Sequence, residues 1–284
     1  MTIRRVRDRL PRHARRRVIG ILVERRYLAQ REPAALGAML RARGARVRVA
    51  VSGEPRSVDI LDGCDLVVAR GRSPELLDSL RALETRGLPV INRPTAIAAV
   101  LDKAFMAEVL ADAGVPSPPT LAVPPDDIAQ AAERVGFPAI VKPVTGDNGR
   151  GISILWSAAD ARRLAWSESR ALVQPYLRSN GRDLKLYVAA GAVWAVEKPS
   201  PLGRDTTPVR RVRLTGEQRS LALRCGELLG LELYGVDCLA TPAGLFVIEV
   251  NDFPNYSGIS EADGRMADLI LGDAGGELVE RGVS

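Results

Sequence analysis

From Val18 onward, short apolar runs alternate with longer stretches whose apolar residues recur every three or four positions. Val18–Val23 reads as a strand, followed by a helix opened by Pro33 and closed by Gly44. Residues 47–51 and 66–69 read as further strands. Ser73 caps a helix with Pro74 at its first position, running to near Gly87, and 89–92 is the next strand. This β/α alternation over about 75 residues predicts a small parallel sheet.

A second unit begins near Pro94. Asp102 caps a helix that stops at Gly114, ahead of Val115-Pro116, and Ser117-Pro118-Pro119 forms a stiff linker. A helix over 126–135, a strand over 139–142, a loop over 143–151 and a strand over 152–156 follow. A short helix over 158–166 and a strand over 171–174 complete this unit. The third unit holds a hairpin around Ala190-Gly191, an arginine-rich connection and a helix over Gly216–Leu229. A second hairpin around 241–244 and a terminal helix end it. The expected divisions are a basic tail over 1–17, an α/β unit over 18–93, a middle unit over 94–174 and a C-terminal unit over 175–284.

Apolar residues at 46% and charged residues at 26% are ordinary for a globular chain, and 284 residues can bury a core without disulfide or zinc support. Aromatics at 4% are too few for the stacking platforms of a single-strand nucleic-acid binder. The net charge of +6 is local. Residues 1–17 hold eight arginines and one aspartate, and the remainder carries 32 basic against 33 acidic groups. A duplex reader carries its basic face on the folded domain, so nucleic acid is not the expected partner. The tail reads as a solvated extension, with an RNA- or phosphate-binding arm as the alternative.

No apolar run approaches the ~18 residues that span a membrane, and residues 18–23 are too short for the core of a secretory signal. Cys64, Cys225 and Cys238 are widely spaced and form no C-x-x-C, so a cytoplasmic location is expected. The only histidine is His13, in the tail. Ser-His-Asp, Cys-His and histidine–zinc devices are thereby excluded. Chemistry must rest on carboxylates, lysines, arginines and backbone amides.

Two segments carry such chemistry. The first is Tyr234-Gly235-Val236-Asp237-Cys238 with Leu245-Phe246-Val247-Ile248-Glu249-Val250-Asn251. Strand alternation points Glu249 and Asn251 together and sends Ile248 and Val250 into the core. A tight turn at 241–244 sets Asp237 opposite or diagonal to Glu249. Two carboxylates and an amide oxygen on one face call for a cation, and hard oxygen donors suit Mg²⁺. A solvated polar strand face would show the same pattern.

The second segment is Gly146-Asp147-Asn148-Gly149-Arg150-Gly151, between two strands. No G-K-[ST] follows and no helix opens after it, so it is neither a Walker A loop nor a dinucleotide fingerprint. It reads as a loop that folds over phosphates, or as a flexible hairpin connection. Lys142 beside it and Lys103 upstream favour phosphates, because lysine kept in an arginine-biased chain marks a compact point charge.

In this order the motifs resemble the ATP-grasp superfamily over nearly the whole chain from Val18. Ile140-Val141-Lys142-Pro143 with the glycine-rich loop looks like its phosphate-binding lysine and flap. Asp102-Lys103 with Gly114-Val115-Pro116 looks like its earlier nucleotide lysine and exit turn. Leu172-Val173-Gln174-Pro175-Tyr176-Leu177 looks like the hinge whose backbone pairs with adenine. The resemblance implies an α/β and α+β fold in which a small N-terminal parallel-sheet domain precedes two α+β subdomains clasping the nucleotide. It implies nucleotide contacts at Lys103, Lys142, Gly146, Asn148, Gly149, Gly151, Gln174, Pro175, Tyr176, Leu177 and Asp183. Asp237, Glu249 and Asn251 match the metal triad. Lys142, Arg150, Lys185 and Lys198 are the implied catalytic cations, with Lys198 or Arg204 in place of an arginine found in many family ligases.

Within the superfamily the pattern is most similar to the ribosomal-protein glutamate ligase type of carboxylate–amine ligases. Leu184-Lys185-Leu186-Tyr187-Val188 and Asn251-Asp252-Phe253-Pro254-Asn255-Tyr256-Ser257-Gly258 also resemble inositol-tetrakisphosphate kinases. Asn255-Tyr256 departs from the glycine and leucine that the ligases tend to carry, and Pro175 from their hinge glutamate. The implied cofactors are ATP and two Mg²⁺, with Mn²⁺ able to substitute. A ligase would pass through an acyl phosphate to ADP, phosphate and an amide, whereas a kinase would stop at transfer to a cyclitol or sugar phosphate. The ligase is the expected activity. Its substrates would be small carboxylates and amines, peptide- or carrier-linked ones included, with no membrane partner and a homo-oligomer left open. Substrate contacts are expected at 24–26, 70–73 and 255–257, near the carboxyl ends of strands. A polyphosphate acceptor would require Arg70, Arg72, Arg93, Arg210, Arg211 and Arg213 to converge.

Overall fold

Three sheets succeed one another along the chain, which the computed structural model describes over residues 16–146, 150–179, 181–200, 202 and 206–272. The first consists of β1 (Val18–Val23), β2 (Arg46–Val51), β3 (Leu66–Arg70) and β4 (Val90–Ile91), parallel in the order β2-β1-β3-β4. Helices α1 (Arg31–Ala42), α2 (Ser57–Ile60) and α3 (Pro74–Thr85) connect them. β1 and β3 are buried at every position, as central parallel strands covered on both faces must be. The Ser73 side chain accepts from Leu76 N–H at the start of α3.

Helices α4 (Pro94–Leu101) and α5 (Lys103–Asp112) follow. Asp102 Oδ1 caps α5 by accepting from the N–H groups of Ala104 and Phe105, at 2.9 and 3.1 Å. The sequence groups these helices with the middle unit. Their buried residues, among them Ala96, Val100, Met106 and Leu110, pack instead with Leu186, Val236 and Val250 of the last sheet.

The second sheet is antiparallel in the order β5-β8-β6-β7, from β5 (Leu121–Val123), β6 (Ala139–Pro143), β7 (Ser153–Leu155) and β8 (Ala171–Pro175). Helices α6 (Ile128–Val135) and α7 (Ala158–Arg163) cover it, with Ile128, Ala132 and Ala161 against Val141, Leu155 and Val173. The sequence pattern does not reveal β5, because three residues carry too little alternation to read.

The third sheet is antiparallel in the order β11-β10-β9-β12-β13. Its strands are β9 (Arg182–Ala189), β10 (Ala192–Pro199), β11 (Arg210–Val212), β12 (Leu233–Thr241) and β13 (Gly244–Asp252). Helix α8 (Gly216–Leu229) opens on a capping box between Thr215 and Gln218. Helix α9 (Ala262–Leu271) sends Met266, Ala267 and Ile270 into a core shared with Ile19, Leu36 and Val68 of the first unit and Tyr187 and Trp194 of the third. Buried Asn92 adds a polar tie between these units. Its amide donates to Leu233 O at 2.7 Å, and its Oδ1 accepts from the N–H groups of Glu232 and Leu233.

One register shift alters the expected alternation. Asp237 pairs with Glu249, but Cys238 then pairs with Val247, leaving Ile248 as the extra residue. Val247 and Val250 are therefore the core residues, at 1% and 0% exposure. Ile248 lines a cavity instead of entering the core. A bulge sets two residues opposite one and re-aims a side chain.

Candidate active site

The three sheets meet around one cavity of about 530 Å³. β6 brings Lys142, β8 brings Gln174 and Pro175, and the first residue of α5 is Lys103. The third sheet supplies Asp183, Lys185, Lys198, Asp237, Glu249 and Asn251, while Arg70 and Arg72 arrive from the carboxyl end of β3. The chain has four lysines among 40 basic residues, and all four line this cavity.

Asp237 is the centre of the polar network. It stands opposite Lys185 on one side and Glu249 on the other. Lys185 Nζ lies 2.8 Å from its Oδ2, Lys198 Nζ lies 2.7 Å from its Oδ1, and Asn251 Nδ2 donates to Oδ2 at 2.9 Å. Burial opposes ionisation of Asp237, but the two lysines outweigh it and hold the carboxyl below its ordinary range. Asp183, opposite Lys198, is pushed up by burial. Gly235 leaves the passage through which Lys185 reaches Asp237, because a Cβ there would come within 2.8 Å of Lys185 Cε.

Lys142 is 8% exposed, and burial lowers its pKa to about 8. The Glu249 charge supports the ammonium and the Lys103 charge opposes it. Lys103 Nζ is 3.5 Å from Glu249 Oε1 and donates to Gly146 O. Lys142 makes no ion pair among the described residues. A buried cation without a carboxylate is costly, so this wall fits a polyanionic ligand such as a triphosphate.

The same cavity also carries oxygen donors for a cation. Among the described residues no group of three His, Cys, Asp or Glu assembles. Asp237, Glu249 and Asn251 offer two carboxylates and an amide oxygen, a hard donor set that suits Mg²⁺ completed by water and phosphate oxygens.

Residues 100–271 match the model of the RimK-like ATP-grasp domain. The chain belongs to the RimK-like ATP-grasp family. A probable alpha-L-glutamate ligase of Methanococcoides burtonii is 32% identical over 233 residues, 74% of this chain and 76% of its own. An ATP-grasp RimK domain protein of Sphaerobacter thermophilus shares the fold with a TM-score of 0.70 at 22% identity, covering 88% of this chain and 98% of that one. A D-alanine–D-alanine ligase of Bacillus anthracis does so with a TM-score of 0.70 at 15% identity, covering 91% and 97%. The protein is an ATP-grasp carboxylate–amine ligase, and the kinase alternative is not favoured. ATP and a divalent metal serve ATP-grasp ligases in general.

Against this ATP-grasp frame, most of the residues singled out by sequence come together. Gly146, Arg150, Gln174, Pro175 and Leu177 line the cavity with the four lysines and the acidic residues. Tyr176 does not: its N–H donates to Pro138 O at 2.9 Å and its ring tilts against Trp156. Gly151 does not line the cavity either. It has a φ of +74°, and a Cβ there would lie 2.9 Å from Pro143 Cγ, so glycine is what allows the backbone at 151 to approach Pro143. Asn148, Gly149, Arg204 and tail residues 1–15 lie outside the described residues.

The loop after β1 contributes different residues from those expected. Glu24 Oε2 accepts from the N–H groups of Arg72 and Ser73, at 2.9 and 3.1 Å, and Arg25 pairs with Glu54. Tyr27 and Gln30 reach the cavity instead. The rule that ligands lie at the carboxyl ends of strands points to this loop but not to its individual side chains. Of the six arginines, only Arg70 and Arg72 line the cavity. Arg93 pairs with Glu84, Arg210 with Glu197 and Arg211 with Glu261. No helix among the described residues is long and apolar enough to cross a membrane.

Proposed function

We propose that this ligase joins an amino-acid or peptide carboxylate to an amine through an acyl phosphate, releasing ADP and phosphate. The observation that carries the reading is the gathering of every lysine on one cavity, with buried Lys142, which makes no ion pair among the described residues, in the same lining as Asp237 and Glu249. Lys142 and Lys103 would hold the phosphate chain, while Ile140, Leu239 and Ile248 offer apolar surface for the base. Gln174, Pro175 and Leu177 would border the base, with Tyr176 N–H already engaged. Asp237, Glu249 and Asn251 would hold Mg²⁺, two ions in this reading, with Mn²⁺ able to replace them. Bound there, the metal neutralises charge developing on the transferred phosphoryl group.

The substrate carboxylate attacks the γ-phosphorus as the bond to ADP breaks. The neutral amine then adds to the acyl carbon, and phosphate leaves with the electron pair of the acyl C–O bond, taking up the proton that the amine gives up. Lys185 and Lys198 would balance negative charge in both steps, and Gly146 and Arg150 would border the phosphates. The glutamate ligase relative supports amino-acid substrates. Three buried free cysteines suit the cytoplasm.

The test is product analysis with amino-acid and amine pairs. ADP and phosphate should form together only when both substrates are present, and hydroxylamine should trap an acyl hydroxamate in place of the amide. Release of AMP, or a phosphorylated product without free phosphate, would overturn the reading.

A further inference from the structure

We propose that Glu32 and Asp263 share one proton and form a pH-responsive latch between α1 and α9, closed while Glu32 is neutral and loosened once both carboxyls are ionised. The pair takes no part in the chemistry described above. Glu32 is 0% exposed, and its Oε2 is buried with no hydrogen-bond partner among the described residues. Asp263, 8% exposed, meets it from the first turn of α9. One half-exposed guanidinium serves both carboxyls. Arg31 Nη1 donates to Glu32 Oε1 and, at 2.9 Å, to Asp263 Oδ1, while Nη2 donates to Asp263 Oδ2. Two ionised carboxyls against one arginine would leave a negative charge in excess at a desolvated place.

The surroundings decide which carboxyl keeps the proton. Asp263 takes the arginine fork on both oxygens and lies at a helix N-terminus, a setting that suits a carboxylate. Glu32 meets that guanidinium through one oxygen and is fully enclosed. Burial raises its pKa to about 7, with the Asp263 charge and a hydrogen bond to Asp263 acting in the same direction. Arg31 and the Leu36 N–H oppose them. Arg70 from β3 and buried Tyr256 also face Glu32, the first as a cation and the second as a neutral phenol. A proton on Glu32 turns an acceptor into a donor, which is what two carboxyls in contact require.

The latch lies where the first unit meets the third. Leu36 and Leu40 of α1 share a core with Met266, Ala267 and Ile270 of α9 and with Tyr187 and Trp194 of the third sheet. A second tie between these helices, Arg43 with Asp268, matches one charge with one. A charge gained by Glu32 is therefore felt at the joint between the elements that bring Arg70 and Arg72 to the cavity and those that bring Asp237 and Glu249. The folded acid holds its proton more tightly than the unfolded one. Its stabilising contribution is whole below about pH 4.5 and is lost as pH rises through about 7.

Thermal melts and amide hydrogen exchange of the full chain at pH 5 and pH 8 test this in wild type, Glu32→Gln and Asp263→Asn. Glutamine keeps the shape of the neutral acid and cannot ionise. The melting temperature of Glu32→Gln minus that of wild type should rise by about 5 °C or more from pH 5 to pH 8. A purely structural effect would give the same offset at both. Asp263→Asn removes the neighbouring charge, so the pH dependence seen in wild type should shrink there too. Exchange, corrected for its intrinsic rate, should quicken about tenfold at pH 8 in α1 and α9 of wild type but not of Glu32→Gln, with β6 unchanged. An offset constant within about 1 °C would overturn the shared proton, as would an undiminished pH dependence in Asp263→Asn. A pH-dependent melt without faster exchange in α1 and α9 would overturn the latch. If Glu32→Gln fails to fold, Asp263→Asn carries both comparisons.

Discussion

Glu249 stands directly opposite Asp237 on the β12–β13 ladder, and the ladder slips by one residue immediately beyond the pair. Ile248 and Glu249 consequently both line the cavity, although neighbours on a regular strand face opposite ways. One strand can thereby offer an apolar wall and a metal-suited carboxylate side by side.

Glu249→Gln keeps the volume and removes the charge. ATP turnover should fall at least ~100-fold through lost phosphoryl-charge stabilisation, with the melting temperature nearly unchanged. A steady-state ADP-release assay checks this, and turnover within tenfold of wild type would remove Glu249 from the site.

Lys142 should give nucleotide binding a pH dependence. Its pKa near 8 lies below the ordinary 10.5, so the free protein loses this charge as pH rises through 8, while a bound polyanion would retain the proton. The AMP-PNP dissociation constant should rise by up to about tenfold per pH unit above 8. For folding the sign is opposite. The unfolded chain binds the extra proton between pH 8 and 10.5, so Lys142's unfavourable contribution is relieved across that window. Binding measured at pH 7 and 9.5 in wild type and Lys142→Met is the check; an equal pH dependence in both would exclude Lys142 as its source.

Gly235→Ala should fold and work poorly. The added methyl displaces the flexible end of Lys185, which can move, but the lysine then loses its seat on Asp237. Catalytic rate should drop about tenfold or more, as misplacement of a charge-stabilising group does, with little change in the thermal melt. Full activity would mean that the Lys185–Asp237 contact is dispensable.

Gly226→Ala addresses stability alone. Alanine improves helix propensity by about 1 kcal/mol. The new methyl would collide with the ring and hydroxyl of buried Tyr234, whose hydroxyl donates to Ala222 O. Overpacking should prevail and leave a net loss of about 1–2 kcal/mol in urea unfolding. A stabilised variant would show that Tyr234 can move freely.

β1 and α8 were legible to the residue, because Val18–Val23 is an uninterrupted apolar run and Thr215 and Gly230 bracket the helix. The Asp237–Glu249 pairing was legible from period-two alternation and a short turn. Ile248 was not, since a bulge leaves no mark in an alternating pattern. Tyr27 and Gln30 depend on how a short 3-10 turn meets a loop more than 200 residues away, which local spacing does not encode. The α4 sequence is apolar on nearly every side, so nothing in it says which sheet it will cover.

The second sheet is an excursion. The chain leaves the large antiparallel layer after Val115, where Pro116 O accepts Val247 N–H at 2.8 Å, and rejoins it at Arg182. Lys142 rides on the excursion, whereas Asp237 and Glu249 belong to the layer it departs from. Two short crossings therefore tie the sheet that carries Lys142 to the layer that carries Asp237 and Glu249. Ser117, Pro118 and Thr120 of the first crossing lie beside Lys142 itself, so a substitution in that linker would be felt at the lysine without touching either carboxylate.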